Sequence, residues 1–179
     1  MAHVLVPGDR AMSRDAIDDA IGAASLTLTN IVKESATHPR QLVATTRDGG
    51  TFVTFVTDAP LGLVYAIVEG READALARCL SDELEAVRGA DLEARAAEGG
   101  PGLVWALTRA AALRDVARAE PLALAALSDE SAAVRRAAAL ACAYVASPAL
   151  VAAATERLAT EPDAQVRGLL EACKARGAS

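Results

Sequence analysis

The chain is poor in the residue types that most often carry chemistry. Its 179 residues include two histidines, three cysteines and one tryptophan, and aromatic residues make up 3%. The patterns HExxH, CxxC and GxSxG do not occur in it. Zinc sites and hydrolase triads are built from such groups. We therefore expect no catalytic residue, no metal and no cofactor, and we interpret the protein as a non-enzyme.

The three cysteines, Cys79, Cys142 and Cys173, are odd in number and far apart. They form no disulfide framework, and each lies among apolar neighbours in a predicted helix, so we expect buried free thiols. The first residues lack the basic and apolar segments of a signal peptide, and no stretch has the hydrophobicity of a membrane span. We therefore expect a cytoplasmic protein that does not contact membranes.

Positive charge is also scarce. The chain has 18 basic and 24 acidic residues, which gives a net charge of −6 and a pI of about 5.0. Nonspecific nucleic-acid binding requires a basic face that neutralises phosphates, so we expect no nucleic-acid partner. Of the 18 basic residues 16 are arginine, which favours planar two-point pairing with carboxylates. Ion pairs with the acidic residues are therefore expected.

Alanine is abundant, and its distribution divides the chain. Of 44 alanines, 34 follow residue 70. Alanine has the highest helix propensity, so the composition changes from mixed to helical along the chain. The glycine-rich segment Gly99–Gly102 is predicted to be a flexible boundary between residues 1–98 and residues 103–179. Residues 91–98 either extend the preceding helix or act as linker.

Helical periodicity is present at both ends of the first part. Residues 3–6 form either a short strand or an arm. A stripe of apolar residues at three- and four-residue steps predicts a helix from Ser13 to about Ser35, although β-branched residues near Thr27 weaken it. A second helix is predicted from Arg71 to about Val87. These two helices enclose the β-rich segment of the chain.

The β-rich segment has the clearest strand signals in the chain. Asp48-Gly49 separates two runs of β-branched and aromatic residues, which is typical of a hairpin. The predicted strands of this three-stranded antiparallel meander lie near residues 41–46, 51–57 and 63–68. Both of its faces are apolar, and helices cover one. A second copy, the C-terminal part or a partner would cover the other, and the candidate interface residues are Phe52, Phe55, Tyr65 and Trp105.

From Leu103 onward the pattern is helical throughout. Helices are predicted from Leu103 to about Arg118, from Pro121 to Leu127, from Ala132 to Val145, from Pro148 to about Leu158, and in a last segment that ends near Ala175. The connecting turns are short, and short antiparallel helices joined by such turns form helical hairpins.

A short phrase occurs twice in this helical part. The segments Leu127–Arg135 and Leu158–Arg167 both contain an acidic turn followed by Val-Arg, and the two Val-Arg pairs are 32 residues apart. A fixed period of this size indicates stacked helical repeats. The similar phrase Leu80–Arg88 is not counted, because one helical stripe of leucines continues through it.

The two phrases resemble HEAT-like repeats of the phycobiliprotein-lyase type, over about residues 103–176. The resemblance implies that the valines pack in the hairpin core. It also implies that each acidic turn residue caps a helix and pairs with the arginine of a neighbouring repeat. The resulting structural ladder would contain Asp129, Val134, Arg135, Asp163, Val166 and Arg167. Gly168 departs from the pattern, which would make the last helix a terminal cap.

The coarse order of the first part, a helix, a three-stranded meander and a helix, is similar to roadblock modules and to type III secretion chaperones. Both usually dimerise, so the resemblance implies a homodimer formed through the sheet. The expected fold class is α+β, with this module followed by an all-α HEAT-like domain. We expect a non-enzymatic adaptor or regulatory scaffold with an unidentified protein partner. The alternatives are a chromophore-lyase-like or other small-ligand protein and a secretion-type chaperone.

Overall fold

The chain folds into a mixed α+β structure with two compact units. A computed structural model describes residues 2–9, 12–35 and 38–177. The units are Met1–Val87 and Arg88–Ser179. The first contains a sheet with two helices and the second consists of helices. The predicted outer ends at residues 1 and 179 lie outside the described residues.

In the described part, the first unit contains one five-stranded antiparallel sheet. Its elements in chain order are β1 (His3–Leu5), α1 (Arg14–Ala23), β2 (Thr27–Val32), β3 (Arg40–Thr45), β4 (Thr51–Asp58), β5 (Leu63–Gly70) and α2 (Ala73–Glu83). The strand order is β1-β5-β4-β3-β2, so that β2 to β5 form a meander and β1 pairs with β5. Strands β3, β4 and β5 overlap the three predicted strands.

The hairpin between β3 and β4 is fixed by the turn residues that predicted it. Asp48 Oδ1 accepts hydrogen bonds from the Thr46 hydroxyl at 2.6 Å and from the Gly50 N–H at 3.0 Å. Gly49 has a φ of 68°, which glycine adopts without steric cost. At the end of β5, Gly70 has a φ of 128°, and a Cβ there would collide with the backbone of Gly50. A side chain is therefore excluded at Gly70, and glycine is favoured at Gly49.

The core of the first unit lies on one face of the sheet. Its buried members come from the strands, from both helices and from residues next to them: Met12, Ile17, Ala20, Leu26, Leu42, Ala44, Val53, Phe55, Ala66, Val68, Ala73, Leu76, Ala77, Leu80 and Leu84. Helix α1 begins at Arg14 and is capped by Ser13, whose hydroxyl accepts a hydrogen bond from the Ala16 N–H at 3.2 Å. This N-cap was correctly signalled by the sequence.

The predicted continuation of the first helix to Ser35 is wrong. Helix α1 ends at Ala23, and strand β2 begins at Thr27. Between them Ser25 adopts a φ of 52°, which turns the chain out of the helix. The segment Thr27–Val32 is rich in β-branched residues and pairs with β3, so tertiary pairing outweighs the helical periodicity.

The second unit contains pairs of helices in a regular register. The helices are α3 (Gly89–Ala97), α4 (Gly100–Leu113), α5 (Val116–Ala126), α6 (Ala132–Val145), α7 (Pro148–Leu158) and α8 (Ala164–Gly177). Helices α4, α6 and α8 begin and end 32 residues apart, and so do α5 and α7. Helix α6 packs between α4 and α8. Helices α4, α6 and α8 also pack against α3, α5 and α7, respectively.

The connections between the hairpins follow the same register. Arg114 and Ala146 both end their helices in the left-handed conformation, with φ values of 52° and 47°. The next residues, Asp115 and Ser147, are N-caps whose side-chain oxygens accept backbone hydrogen bonds at 3.2 and 3.3 Å. The repeat is therefore present in the backbone as well as in the Val-Arg phrase.

Two boundary predictions in this unit differ from the structure. Gly99–Gly102 is not a linker, because it starts α4, and a Cβ on Gly102 would collide with the Arg95 carbonyl oxygen. The glycine thus permits close packing of α3 on α4. Pro121 lies inside α5 rather than at its start, because Asp115 caps that helix earlier.

Candidate functional site

Arg135 on α6 holds the turn that precedes its own helix. Its Nη1 donates to the carbonyl oxygens of Asp129 and Glu130 at 2.9 and 2.8 Å. Arg167 on α8 has the same geometry one repeat later. Its Nη1 donates to the carbonyl oxygens six and five residues earlier, at 3.0 and 2.9 Å. Each arginine therefore satisfies two carbonyl oxygens of the turn before its helix.

The rest of the Arg135 guanidinium binds the next turn of the chain. Its Nε and Nη2 each donate to one carboxylate oxygen of Glu161 at 3.0 Å. The Arg135 side chain is 8% exposed and that of Glu161 is 0% exposed. Arg157 Nε and the Asp163 N–H also donate to this carboxylate, both at 3.0 Å. This buried cluster joins two successive helical hairpins.

The charge of Glu161 is maintained by these donors. Burial alone would raise the pKa of the Glu161 carboxyl group. The hydrogen bonds from Arg135, from the Asp163 N–H and from Arg157 outweigh burial and hold that pKa at about 2. The carboxylate is therefore ionised at neutral pH, and its negative charge compensates the two guanidinium groups.

The structure assigns different roles to the acidic residues of the expected ladder. Asp163 Oδ1 accepts hydrogen bonds from the N–H groups of Gln165 and Val166 at 2.8 and 3.0 Å, so it caps α8. Asp129 Oδ1 accepts one from the Ser131 N–H at 2.8 Å. Glu161, rather than Asp163, pairs with the neighbouring arginine. The signal for this role is its position, because Glu161 follows Asp129 by 32 residues.

The valines of the two phrases are both core residues. Val134 on α6 and Val166 on α8 are each 1% exposed. Each valine is followed by an arginine, Arg135 or Arg167, that donates to the preceding turn. Each phrase therefore contains one buried side chain and one side chain that holds a turn. All six residues of the expected ladder thus lie within the two turns and the helix starts that follow them.

The four candidate interface residues differ in accessibility. Phe55 is 1% exposed and belongs to the core of the first unit, so it offers no surface to a partner. Tyr65 is also buried. Phe52, which pairs with Glu69 on the neighbouring strand, is 46% exposed and is the member of this set that faces solvent.

Trp105 is half-buried on α4, between two arginines of its own unit. The guanidinium carbons of Arg109 and Arg95 lie 4.2 and 5.4 Å from the indole centroid. These distances are typical of cation–π contacts. Its indole Nε1 is buried and has no hydrogen-bond partner in the described part of the chain. The residue therefore contributes to packing of α3 and α4.

Among the open grooves on the second unit, two lie beside α7. One, of about 360 Å³, lies between α5 and α7 and is lined by Leu124, Leu127, Ser128, Ala153, Glu156, Arg157 and Thr160. The other, of about 530 Å³, lies between α7 and α8 and is lined by Leu158, Arg167, Glu171, Lys174 and Ala175. We call the latter the terminal groove. It combines apolar walls with two cations and one carboxylate.

The cysteines fall into two classes. Cys142 and Cys173 are fully buried, and the Cys173 thiol donates to the Cys142 carbonyl oxygen at 3.2 Å. Cys79 is exposed, which contradicts the expectation that all three are buried. The reason is that α2 buries the stripe of Leu76, Ala77 and Leu80, and Cys79 lies outside it.

Outside the Arg135–Glu161 cluster, the polar contacts in residues 2–9, 12–35 and 38–177 include one made by a histidine. His3 Nε2 lies 2.6 Å from Asp74 Oδ1 and ties β1 to α2. Within those residues, His, Cys, Asp and Glu side chains form no group of three or more that could hold a metal ion. No helix among them has the length and apolar character needed to cross a bilayer.

Comparisons with family models, with curated proteins and with solved structures find no match for this chain.

Proposed function

We propose that the protein is a non-enzymatic interaction protein, an adaptor or regulatory scaffold, whose second unit is a short HEAT-like stack. The observation that supports this proposal is the common 32-residue register of α4, α6 and α8 and of α5 and α7. Stacked helical repeats present successive helices on an extended surface, and such surfaces usually bind proteins. On α5, Val116 and Leu124 expose apolar side chains.

The experiment that tests this function is site-specific photo-crosslinking in cells followed by reconstitution. A photo-reactive residue at Leu124 on the stack is compared with one at Asp15 on α1, which is also exposed. We expect one defined protein to crosslink from Leu124 and, after purification, to bind the unmodified chain with a Kd of about 10 μM or below. A crosslinked protein that does not rebind contradicts the proposal.

A homodimer through the sheet and a cytoplasmic location belong to the same proposal. The support for the dimer is the exposed Phe52, and the support for the cytoplasm is the presence of unpaired thiols. Light scattering of the full chain should give twice the monomer mass. The Phe52→Asp variant should give the monomer mass. A monomer mass for the unsubstituted chain at about 100 μM contradicts the dimer.

A further inference from the structure

Arg135 and Arg167 hold their own turns alike, but the rest of each guanidinium has a different environment. Arg135 uses Nε and Nη2 to bind both oxygens of the Glu161 carboxylate. Arg167 occupies the same position one repeat later, and its Nη1 is engaged in the same way. Within the described ranges, the Nε and Nη2 of Arg167 have no hydrogen-bond partner.

These two donor groups belong to a residue that lines the terminal groove. Arg167 is half-buried and forms one wall of the groove with Lys174, while Leu158 and Ala175 supply apolar surface. Glu171 also lines the groove, but in the described part of the chain it makes no ion pair with Arg167. The groove therefore has two cationic side chains, and one of them presents a planar pair of donors.

We propose that the terminal groove binds an acidic turn of a partner protein, whose Glu or Asp carboxylate takes both donors of Arg167. The identity of such a partner rests on the proposed interaction function. The chemistry of the groove does not rest on it, because it follows from the comparison of the two arginines within this chain.

The internal template indicates why the ligand is a carboxylate on a turn. Arg135 already binds a carboxylate that projects from the turn Glu161–Asp163, through two parallel N–H···O bonds. This geometry fits a planar carboxylate and distinguishes arginine from lysine. Lys174 adds positive charge for an acidic segment, and Leu158 can contact the apolar residues beside it.

The probe is a blocked peptide with the sequence of residues 158–166 of this chain, which contains Glu161 and Asp163. The control peptide carries Glu161→Gln and Asp163→Asn. Each is titrated into the full-length protein while the Nε–Hε signals of the arginines are followed by NMR. We expect a saturable shift of the Arg167 signal with the acidic peptide, none with the control peptide, and none at exposed Arg136 on α6.

Two variants test the role of the groove residues. Arg167→Lys keeps the charge but removes the planar donor pair, and we expect it to weaken peptide binding about tenfold. Arg136→Lys is its matched control and should bind as the unsubstituted protein does. Because loss of the backbone contacts of Arg167 could loosen α8, Glu171→Gln is a second test that leaves them intact. It removes a negative charge that repels the peptide carboxylates, and we expect it to tighten binding about two- to threefold.

Several results would overturn the proposal. Equal binding of the control peptide would show that no carboxylate is recognised, and equal loss in Arg136→Lys would show general attraction to positive charge. A dimer of the full chain that dissociates in Arg167→Lys would assign the groove to a second copy instead. If the peptide binds as expected but crosslinking yields no partner, the interaction function fails while the carboxylate specificity of the groove stands.

Discussion

The two units bury different kinds of side chain. In the sheet unit, large aliphatic and aromatic residues such as Val53, Phe55 and Leu80 fill the space between one sheet face and two helices. In the helical unit most buried hydrophobic residues are alanine, including Ala110, Ala138 and Ala154. Protein interiors are densely packed in both cases, so the difference lies in how closely the backbones approach one another.

Their polar contacts also lie at different depths. In the sheet unit, Asp74 and Asp48 are exposed, and the pKa of each is lowered by a hydrogen-bond donor, His3 for the former and the Thr46 hydroxyl for the latter. In the helical unit, the Glu161 carboxylate is fully buried between guanidinium groups. The sheet unit therefore depends on the volume of its side chains. The helical unit depends on their small size and on one buried ionic cluster.

Removal of a large core side chain should have the largest effect, and it should act on the sheet unit. Phe55→Ala leaves a cavity in the sheet core, and we expect it to lower the free energy of unfolding by about 3–5 kcal/mol. Residue-resolved amide hydrogen exchange in β3 and β4 measures this loss. Phe52→Ala is the matched control, because that side chain is 46% exposed. Equal effects of the two substitutions would contradict the assignment of Phe55 to the core.

Neutralisation of Glu161 should have the next largest effect, and it should act on the helical unit. Glu161→Gln leaves the buried guanidinium of Arg135 and that of Arg157 without a counter-charge. We expect a loss of about 3 kcal/mol in the free energy of unfolding. Urea unfolding followed by Trp105 fluorescence reports this unit, since the chain has one tryptophan. Exposed Glu130 provides the control, and Glu130→Gln should change stability by less than about 0.5 kcal/mol.

The same carboxylate predicts how the helical unit responds to acid. In the folded chain the pKa of Glu161 is about 2, below its ordinary value of about 4.3 in an unfolded chain. Between these values the unfolded chain binds a proton that the folded chain does not. Stability is therefore complete above about pH 4.3 and is lost as the pH falls toward 2. In Glu161→Gln this part of the pH dependence of Trp105-monitored unfolding should be absent; an unchanged profile would refute it.

Enlargement of a buried alanine should destabilise the helical unit, but by less than the loss of the Glu161 charge. Ala138 on α6 is fully buried among other alanines. Ala138→Leu forces neighbouring helices apart, and we expect a loss of about 1–3 kcal/mol in the free energy of unfolding. Ala133→Leu places the same side chain at an exposed position of α6 and should be nearly neutral. A stabilising Ala138→Leu substitution would show unfilled space between the helices.

Features that depend on short-range signals were predictable from the sequence. The Asp48-Gly49 turn located the hairpin of β3 and β4, and the Val-Arg phrase located the starts of α6 and α8. Strand β2 was not predictable in this way, because its apolar residues continue the periodicity of α1. Its partner strand β3 lies further along the chain and decides its conformation.

The contacts of the candidate site were likewise not predictable from neighbouring residues in the sequence. The second phrase has two acidic turn residues, Glu161 and Asp163, and the resemblance did not decide which of them pairs with a neighbouring arginine. In the structure Glu161 pairs with Arg135, and Asp163 caps α8. Both residues lie in one turn, and the choice between them depends on the packing of successive hairpins. The terminal groove depends likewise on the relation of α7 to α8. The 32-residue spacing predicted the repeat, but the contacts between its residues depend on how the helices pack.

The cysteines offer the least perturbing comparison of the two units. Cys79 on α2 is exposed, whereas Cys142 and Cys173 are fully buried in the helical unit. The hydrogen bond with Cys173, together with burial, raises the pKa of the Cys142 thiol, so its reactive thiolate is scarce. A water-soluble thiol reagent should therefore modify one cysteine per chain rapidly, and Cys79→Ser should abolish that rapid phase.

The slow phase of the same reaction should then measure opening of the helical unit alone. Because the buried thiols react only when their surroundings open, Glu161→Gln should accelerate modification of Cys142 and Cys173. It should leave the rate at Cys79 unchanged, because Cys79 is exposed on the other unit. Phe55→Ala should accelerate the slow phase less than Glu161→Gln does. Equal acceleration by both substitutions would show that the two units open together. Their different cores would then not give them independent stabilities.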